Sequence, residues 1–137
     1  MVGWLIFWNT VRPFEAKVRA LPAAVRWRRL GLVVADVSDK GMPAALLMSN
    51  LQACLKGQAL HPAPVSDIVT RINDLLSEST DPHMFATFFY GLLDVSQATL
   101  TCTNAGHNPP LHLMADGSIE ELTVGGLLLG MVGDQVY

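Results

Sequence analysis

One stretch constrains the fold more than any other: Leu32-Val33-Val34-Ala35-Asp36-Val37-Ser38-Asp39-Lys40-Gly41-Met42-Pro43-Ala44-Ala45 runs from an apolar strand through a carboxylate and a tight loop into a helix start. The apolar run with its two valines reads as a buried strand, and Asp36 stands where that strand leaves the core. Gly41 permits the turn, and Pro43 suits a first helical position. Asp39 follows in the same loop, so two hard oxygen ligands could face a divalent cation such as magnesium or manganese. Taken alone, the fragment fits equally a turn capped by Asp36 with Asp39 in solvent.

The following segments alternate in period. Pro43 to about Lys56 carries Ala44, Leu47, Met48, Leu51 and Leu55 at helical spacing, with Gly57 as a stop. A proline-marked connection from Gln58 to Pro64 leads to a second helix with Val65, Ile68, Val69, Ile72, Leu75 and Leu76 on one side. Met84 to Asp94 is then rich in aromatic and β-favouring residues, and Ala98 to Asn104 pairs with it antiparallel across a turn near Ser96 and Gln97. Asn104 to Pro110 turns into Leu111 to Met114, and Asp116-Gly117 turns the chain back through Ile119 to Val124. The expected class is α+β: an antiparallel sheet meander with two packed helices.

Composition narrows the functional classes. A chain of 137 residues with net charge −3 has no basic excess to offer nucleic acid, and its length suits one domain or part of one. Met1 to Trp8 is apolar but too short to cross a bilayer and lacks the features of a leader, so no membrane anchor and a cytoplasmic location are expected. Arg12 to Arg29 holds most of the positive charge, including Arg26, Arg28 and Arg29 around Trp27, and reads as a poorly ordered or helical tail. Cys54 and Cys102 read as buried reduced thiols. His61, His83 and His112 fit no zinc-ligand spacing, and neither a Gly-rich phosphate loop nor a serine nucleophile elbow occurs.

Two downstream segments, Met84-Phe85-Ala86-Thr87-Phe88-Phe89-Tyr90-Gly91-Leu92-Leu93-Asp94 and Leu100-Thr101-Cys102-Thr103-Asn104-Ala105-Gly106-His107-Asn108-Pro109-Pro110-Leu111, complete a pattern with the Asp36 stretch. Together the three segments resemble the metal-dependent PPM (type 2C) serine/threonine phosphatases. The nearest branch is the bacterial one of the sporulation stage II E and sigma-B regulator phosphatases. The resemblance runs from Leu30 to the C-terminus. It implies a partial PPM-type α-β-β-α sandwich over residues 30–137, with residues 1–29 an unmatched N-terminal segment.

The resemblance also implies a chemistry. Two Mn²⁺ or Mg²⁺ ions, about 3.5 to 4 Å apart, would activate a water that attacks phosphoserine or phosphothreonine without a phosphoenzyme. Asp36 matches the metal-bridging carboxylate and Val37 the backbone-carbonyl ligand. Ser38 stands where eukaryotic relatives place a histidine proposed as leaving-group acid. Asp39 replaces a common glycine and is a candidate outer-sphere contact. Ser38, Gly41, Asn104, Gly106 and His107 fall in turns beside the site; His107 reads either as a general acid or as a hydrogen-bonded turn histidine, and the resemblance favours the second. The implied substrate is a phosphorylated regulatory protein of the anti-anti-sigma type, with a sensor domain in the complete gene. A non-catalytic module that binds a phosphoprotein is the alternative.

Two departures temper the expectation of activity. The family's upstream Gly-Gly-Asp-Phe-Tyr-Asp motif is absent, its window reading Glu15-Ala16-Lys17-Val18-Arg19-Ala20 with Glu15 a weak substitute, which suggests a frameshift, a misassigned start or a fusion. The later Tyr-Thr-Asp-Gly and acidic motifs are absent as well. One matched carboxylate leaves too few anionic ligands for two cations, so a weakly active or inactive fragment is expected.

Overall fold

The structure is a computed structural model that describes residues 2–7, 29–81 and 83–137. Its elements are β1 (Val2–Phe7), β2 (Arg29–Val37), α1 (Met42–Gln58), α2 (Val65–Ser79), β3 (Ala86–Asp94), β4 (Thr99–Ala105), β5 (Leu111–Leu113), β6 (Ile119–Glu121) and β7 (Gly125–Gly126). The α+β class with two packed helices agrees with the sequence reading.

The central pairing joins β2 and β3 antiparallel, from Arg29 opposite Asp94 to Val37 opposite Ala86. Strand β4 continues the antiparallel order on the other side of β3. The turn between them is built by Asp94, whose Oδ1 accepts from the Ser96 and Gln97 amides and from the Ser96 hydroxyl. Because side chains alternate across a strand, the register fixes two faces. Val33, Ala35, Ala86, Phe88, Tyr90 and Ala105 face the helices and pack with Leu47, Leu51 and Leu55 of α1 and Ile68, Val69, Ile72 and Leu76 of α2. The opposite face presents Leu32, Val34, Phe89, Leu93 and Leu100 to an apolar groove of about 590 Å³, which Pro110, Leu111 and Leu122 also line.

The sheet differs from a simple meander. Its order is β1-β2-β3-β4-β7, with β1 parallel to β2 and β7 parallel to β4, while β5 and β6 form a separate antiparallel pair. The reason lies after β4. Gly106 takes φ 67°, and Pro109 and Pro110 have no amide hydrogen to extend a ladder, so the chain leaves the sheet and β7 takes the free edge of β4. The sequence reading assigned no element to the first residues. Val2–Phe7 is a strand, Val2 opposite Arg29 and Phe7 opposite Val34, because an apolar run finds the edge of β2 and gains ladder hydrogen bonds there. Residues 8–28, with Glu15 and the tail expected from Arg12 up to Arg29, lie outside the described residues.

Smaller corrections follow from packing. Helix α1 continues through Gly57, and the Ala59 amide still reaches the Leu55 carbonyl before Pro62 and Pro64. Cys54 and Cys102 are free and half-buried rather than fully buried, each thiol pushed up chiefly by burial. Among the described residues no helix is long and apolar enough to cross a membrane.

A polar residue that the sequence reading passed over pins the C-terminal segment. Asn73 of α2 is fully buried; its Oδ1 accepts from the Gly130 amide at 3.0 Å and its Nδ2 donates to the Val132 carbonyl at 2.8 Å. Tyr137 closes the same segment, its hydroxyl donating to the Leu127 carbonyl, and burial pushes that phenol up to about 12, with Asp74 adding to the shift. Asn73→Ala strands both backbone groups and is expected to cost about 2 kcal/mol. Urea unfolding should show a lower midpoint with an unchanged slope.

Candidate functional site

The candidate site forms where β2 runs out. Asp36 lies opposite Thr87 and follows Leu32 and Val34 on the groove side of the sheet, so strand alternation carries its exposed carboxylate past the rim of the apolar face. Val37, one residue on, packs back toward the core. Ser38 then ties the strand end shut: its amide donates to the Phe85 carbonyl at 2.8 Å and its Oγ accepts from the Phe85 amide at 2.9 Å. Asp39 takes the left-handed conformation at φ 69°, and its Oδ1 accepts from the Lys40 amide at 2.8 Å. Short polar side chains tolerate that conformation because they bond to their own loop. Gly41, at φ 79°, caps α1 and offers its carbonyl to the Ala45 amide.

The second wall comes from the turn after β4. Asn104 is buried, and its side chain grips the turn from within: Oδ1 accepts from the His107 amide at 2.8 Å, while Nδ2 donates to the His107 carbonyl at 3.0 Å and the Leu122 carbonyl at 3.1 Å. Gly106 bridges to Phe88, and a Cβ there would stand 2.5 Å from Leu128 Cδ2. Glycine meets both the left-handed φ and that approach without strain. The turn therefore delivers His107 to the end of β3, where its Nδ1 lies 2.7 Å from Thr87 Oγ1. Thr87 Oγ1 is in turn 3.4 Å from the Asp36 carbonyl oxygen.

The electrostatics follow from this placement. Burial lowers the pKa of His107, and the nearby Asp36 carboxylate pulls it partly back. The imidazole is thus biased to the neutral form, with one nitrogen engaged by Thr87. Asp36 is an exposed acidic side chain at the end of its strand. Among the described residues no group of three or more His, Cys, Asp or Glu side chains could hold a metal ion.

Of the residues singled out from sequence, the fold gathers Asp36 and His107 at one end of the sheet. Ser38, Gly41, Asn104 and Gly106 shape the two loops there, and Asp39 bonds to its own backbone. Thr87 was missed. Its only signal was a hydroxyl in an otherwise aromatic strand, which gains meaning once the register sets it opposite Asp36. Asn104→Ala removes three hydrogen bonds from the turn and is expected to cost about 2 kcal/mol. Faster exchange of the His107 amide hydrogen would report the same loss locally.

Known proteins resemble this chain in sequence and fold. The sequence profile of the family described as Stage II sporulation protein E (SpoIIE) matches residues 27–137. Phosphoserine phosphatase RsbU of Bacillus subtilis is 30% identical over 112 residues, covering 79% of this chain and 32% of that protein. Protein IcfG of Synechocystis is 28% identical over 135 residues, covering 79% of this chain and 21% of IcfG. A crystal structure of the RsbU and RsbW domains of Rv1364c from Mycobacterium tuberculosis superposes with a TM-score of 0.64 and 31% identity, over 80% of this chain and 31% of that one. The chain thus spans about a third or less of the length of these relatives.

Proposed function

The chain belongs to the stage II sporulation protein E family, and from that membership we propose that it carries part of a PPM-type centre for hydrolysing phosphoserine or phosphothreonine on a regulatory protein. The observation that supports this is the convergence of Asp36, Thr87 and His107 at one sheet end, all within the residues 27–137 that match the family's profile. We take residues 30–137 as the phosphatase-derived unit, in keeping with a family match over residues 27–137.

Metal dependence is a property of the family, with Mn²⁺ or Mg²⁺ as the ions. The described residues do not by themselves fit a two-cation centre, because Asp36 with the Val37 carbonyl supplies one set of donors and Asp39 bonds to its own loop. No step is therefore routed through a cation. What this chain contributes is a fixed anion at Asp36 and, at His107, a largely neutral imidazole held by its backbone and by Nδ1. Such an imidazole can accept a proton from an attacking water or pass one to a departing serine oxygen.

The second reading is a module that binds a phosphoprotein without turning it over. Mn²⁺-dependent phosphate release from a phosphoserine peptide by the purified chain separates the two. Release establishes the hydrolase reading; a folded chain that binds the peptide and releases nothing overturns it in favour of the binding module.

A further inference from the structure

We propose that Thr87 is a positioning residue that sets the tautomer of His107: its hydroxyl donates to the Asp36 carbonyl and accepts from His107 Nδ1–H, leaving Nε2 as the free, proton-accepting nitrogen. The inference deepens the hydrolase reading, on which its catalytic meaning rests.

The argument is one of counting hydrogens. A threonine hydroxyl has a single hydrogen and two lone pairs. Thr87 Oγ1 lies 2.7 Å from His107 Nδ1 and 3.4 Å from the Asp36 carbonyl oxygen. A carbonyl can only accept, so the pair of contacts is satisfied together only when the hydroxyl hydrogen goes to Asp36 and Nδ1 brings its own. The other tautomer would place the hydroxyl hydrogen on Nδ1 and leave the Asp36 carbonyl without it. The tautomer of a histidine is set by whatever its second nitrogen meets, and here that group is fixed by strand pairing rather than by a mobile side chain.

The rest of the fold leaves His107 little freedom to escape this choice. Its amide and carbonyl are both held by the Asn104 side chain, and the Gly106 bridge to Phe88 sets the turn beside the strand that carries Thr87. Thr87 itself is locked in register opposite Asp36. His107 is thus held at three points, its amide, its carbonyl and ring Nδ1, and a free histidine's preference for protonated Nε2 is reversed at this one. Among the described residues His61, His83 and His112 have no hydroxyl on Nδ1, and His112 has Glu120 Oε2 at 3.5 Å from that atom instead.

The test is nitrogen NMR of the four imidazoles in the full chain, ¹⁵N-labelled at histidine, at a pH where they are neutral, with His107→Gln assigning the signal. In the unsubstituted chain His107 should show a protonated Nδ1 and an unprotonated Nε2. Thr87→Val keeps the shape of the side chain without the hydroxyl and should return His107 to the Nε2–H form, while Thr87→Ser keeps the reversed form and the other three histidines do not move. A His107 already in the Nε2–H form, or one unmoved by Thr87→Val in a folded chain, overturns the proposal. Turnover is read in parallel: Thr87→Val should lower kcat for a phosphoserine peptide about tenfold with KM unchanged, and Thr87→Ser should restore it. Absence of turnover in the unsubstituted chain strikes the hydrolase reading and leaves the tautomer measurement standing.

Discussion

On the hydrolase reading, Asp36→Asn is expected to lower Mn²⁺-dependent phosphate release by at least about 100-fold while leaving the fold intact. The two halves of that expectation have separate causes. Asp36 is exposed at the end of β2, and its carboxylate enters no side-chain hydrogen bond with the described residues, so an amide of the same shape disturbs no packing. Stability should stay within about 0.5 kcal/mol of the parent, as for surface substitutions generally. What the substitution does remove is a full negative charge from the only site residue that the resemblance aligns with a bridging ligand. An amide oxygen is a far weaker partner for a hard divalent ion than a carboxylate. Thermal unfolding and Mn²⁺-dependent phosphate release, measured on the same preparations, check both halves. Retained activity would remove Asp36 from the centre, and a large fall in stability would mean that its role is structural.

The largest effect on stability is expected from Gly125→Ala. Strand β7 is two residues long and lies so close on β4 that a Cβ at Gly125 would stand 1.8 Å from the Asn104 carbonyl oxygen and 2.7 Å from its nitrogen. These are backbone atoms in the middle of a sheet, so they cannot turn aside as a side-chain tip would. The added methyl must push β7 off β4, which breaks the pairing of Asn104 with Gly125 and of Ala105 with Gly126 and the hydrogen bond from the Asn104 amide to the Val124 carbonyl. Overpacking and the lost hydrogen bonds together amount to roughly 3 kcal/mol. For a domain of this size that lowers the melting temperature by about 10 °C. Gly117→Ala is the control: that glycine is also left-handed, at φ 86°, but nothing lies within 4 Å of the new methyl. It should cost only the backbone term of about 1 kcal/mol. Because Asn104 also holds His107, Gly125→Ala should loosen the candidate site together with the sheet edge.

How much was legible varied with how local the cause was. The β2 strand, the Asp36 loop and both helices could be read because their signals lie within a few residues: two valines before a carboxylate, a glycine and a proline at the helix start, and apolar residues at helical spacing in α2. The β3–β4 hairpin was legible for the same reason, its turn being built by Asp94 on residues two and three places on. The parallel strands were not. Val2–Phe7 has no local mark that distinguishes a sheet edge from a tail, and Gly125–Gly126 has no side chain to carry a pattern at all. Asn73 reads as one more polar position on a helix until the chain returns 57 residues later to place the Gly130 amide against it.

The sequence by itself determined the class of the protein: the two helices, the β2 strand and the β3–β4 hairpin in order, and the three segments that mark the phosphatase-like family; it also offered Asp36 at a strand end and His107 in a turn among its site candidates. Those properties follow from short-range chemistry, because backbone preference, side-chain periodicity and turn geometry act over a few residues. Only the tertiary structure decided that the sheet is mixed, that Asn104 is the inner brace of the turn, and that Thr87 stands between Asp36 and His107. Each of these is a matter of register between segments far apart in the chain. A register shifted by one residue would turn Thr87 to the helix side of the sheet and leave the same sequence without that contact.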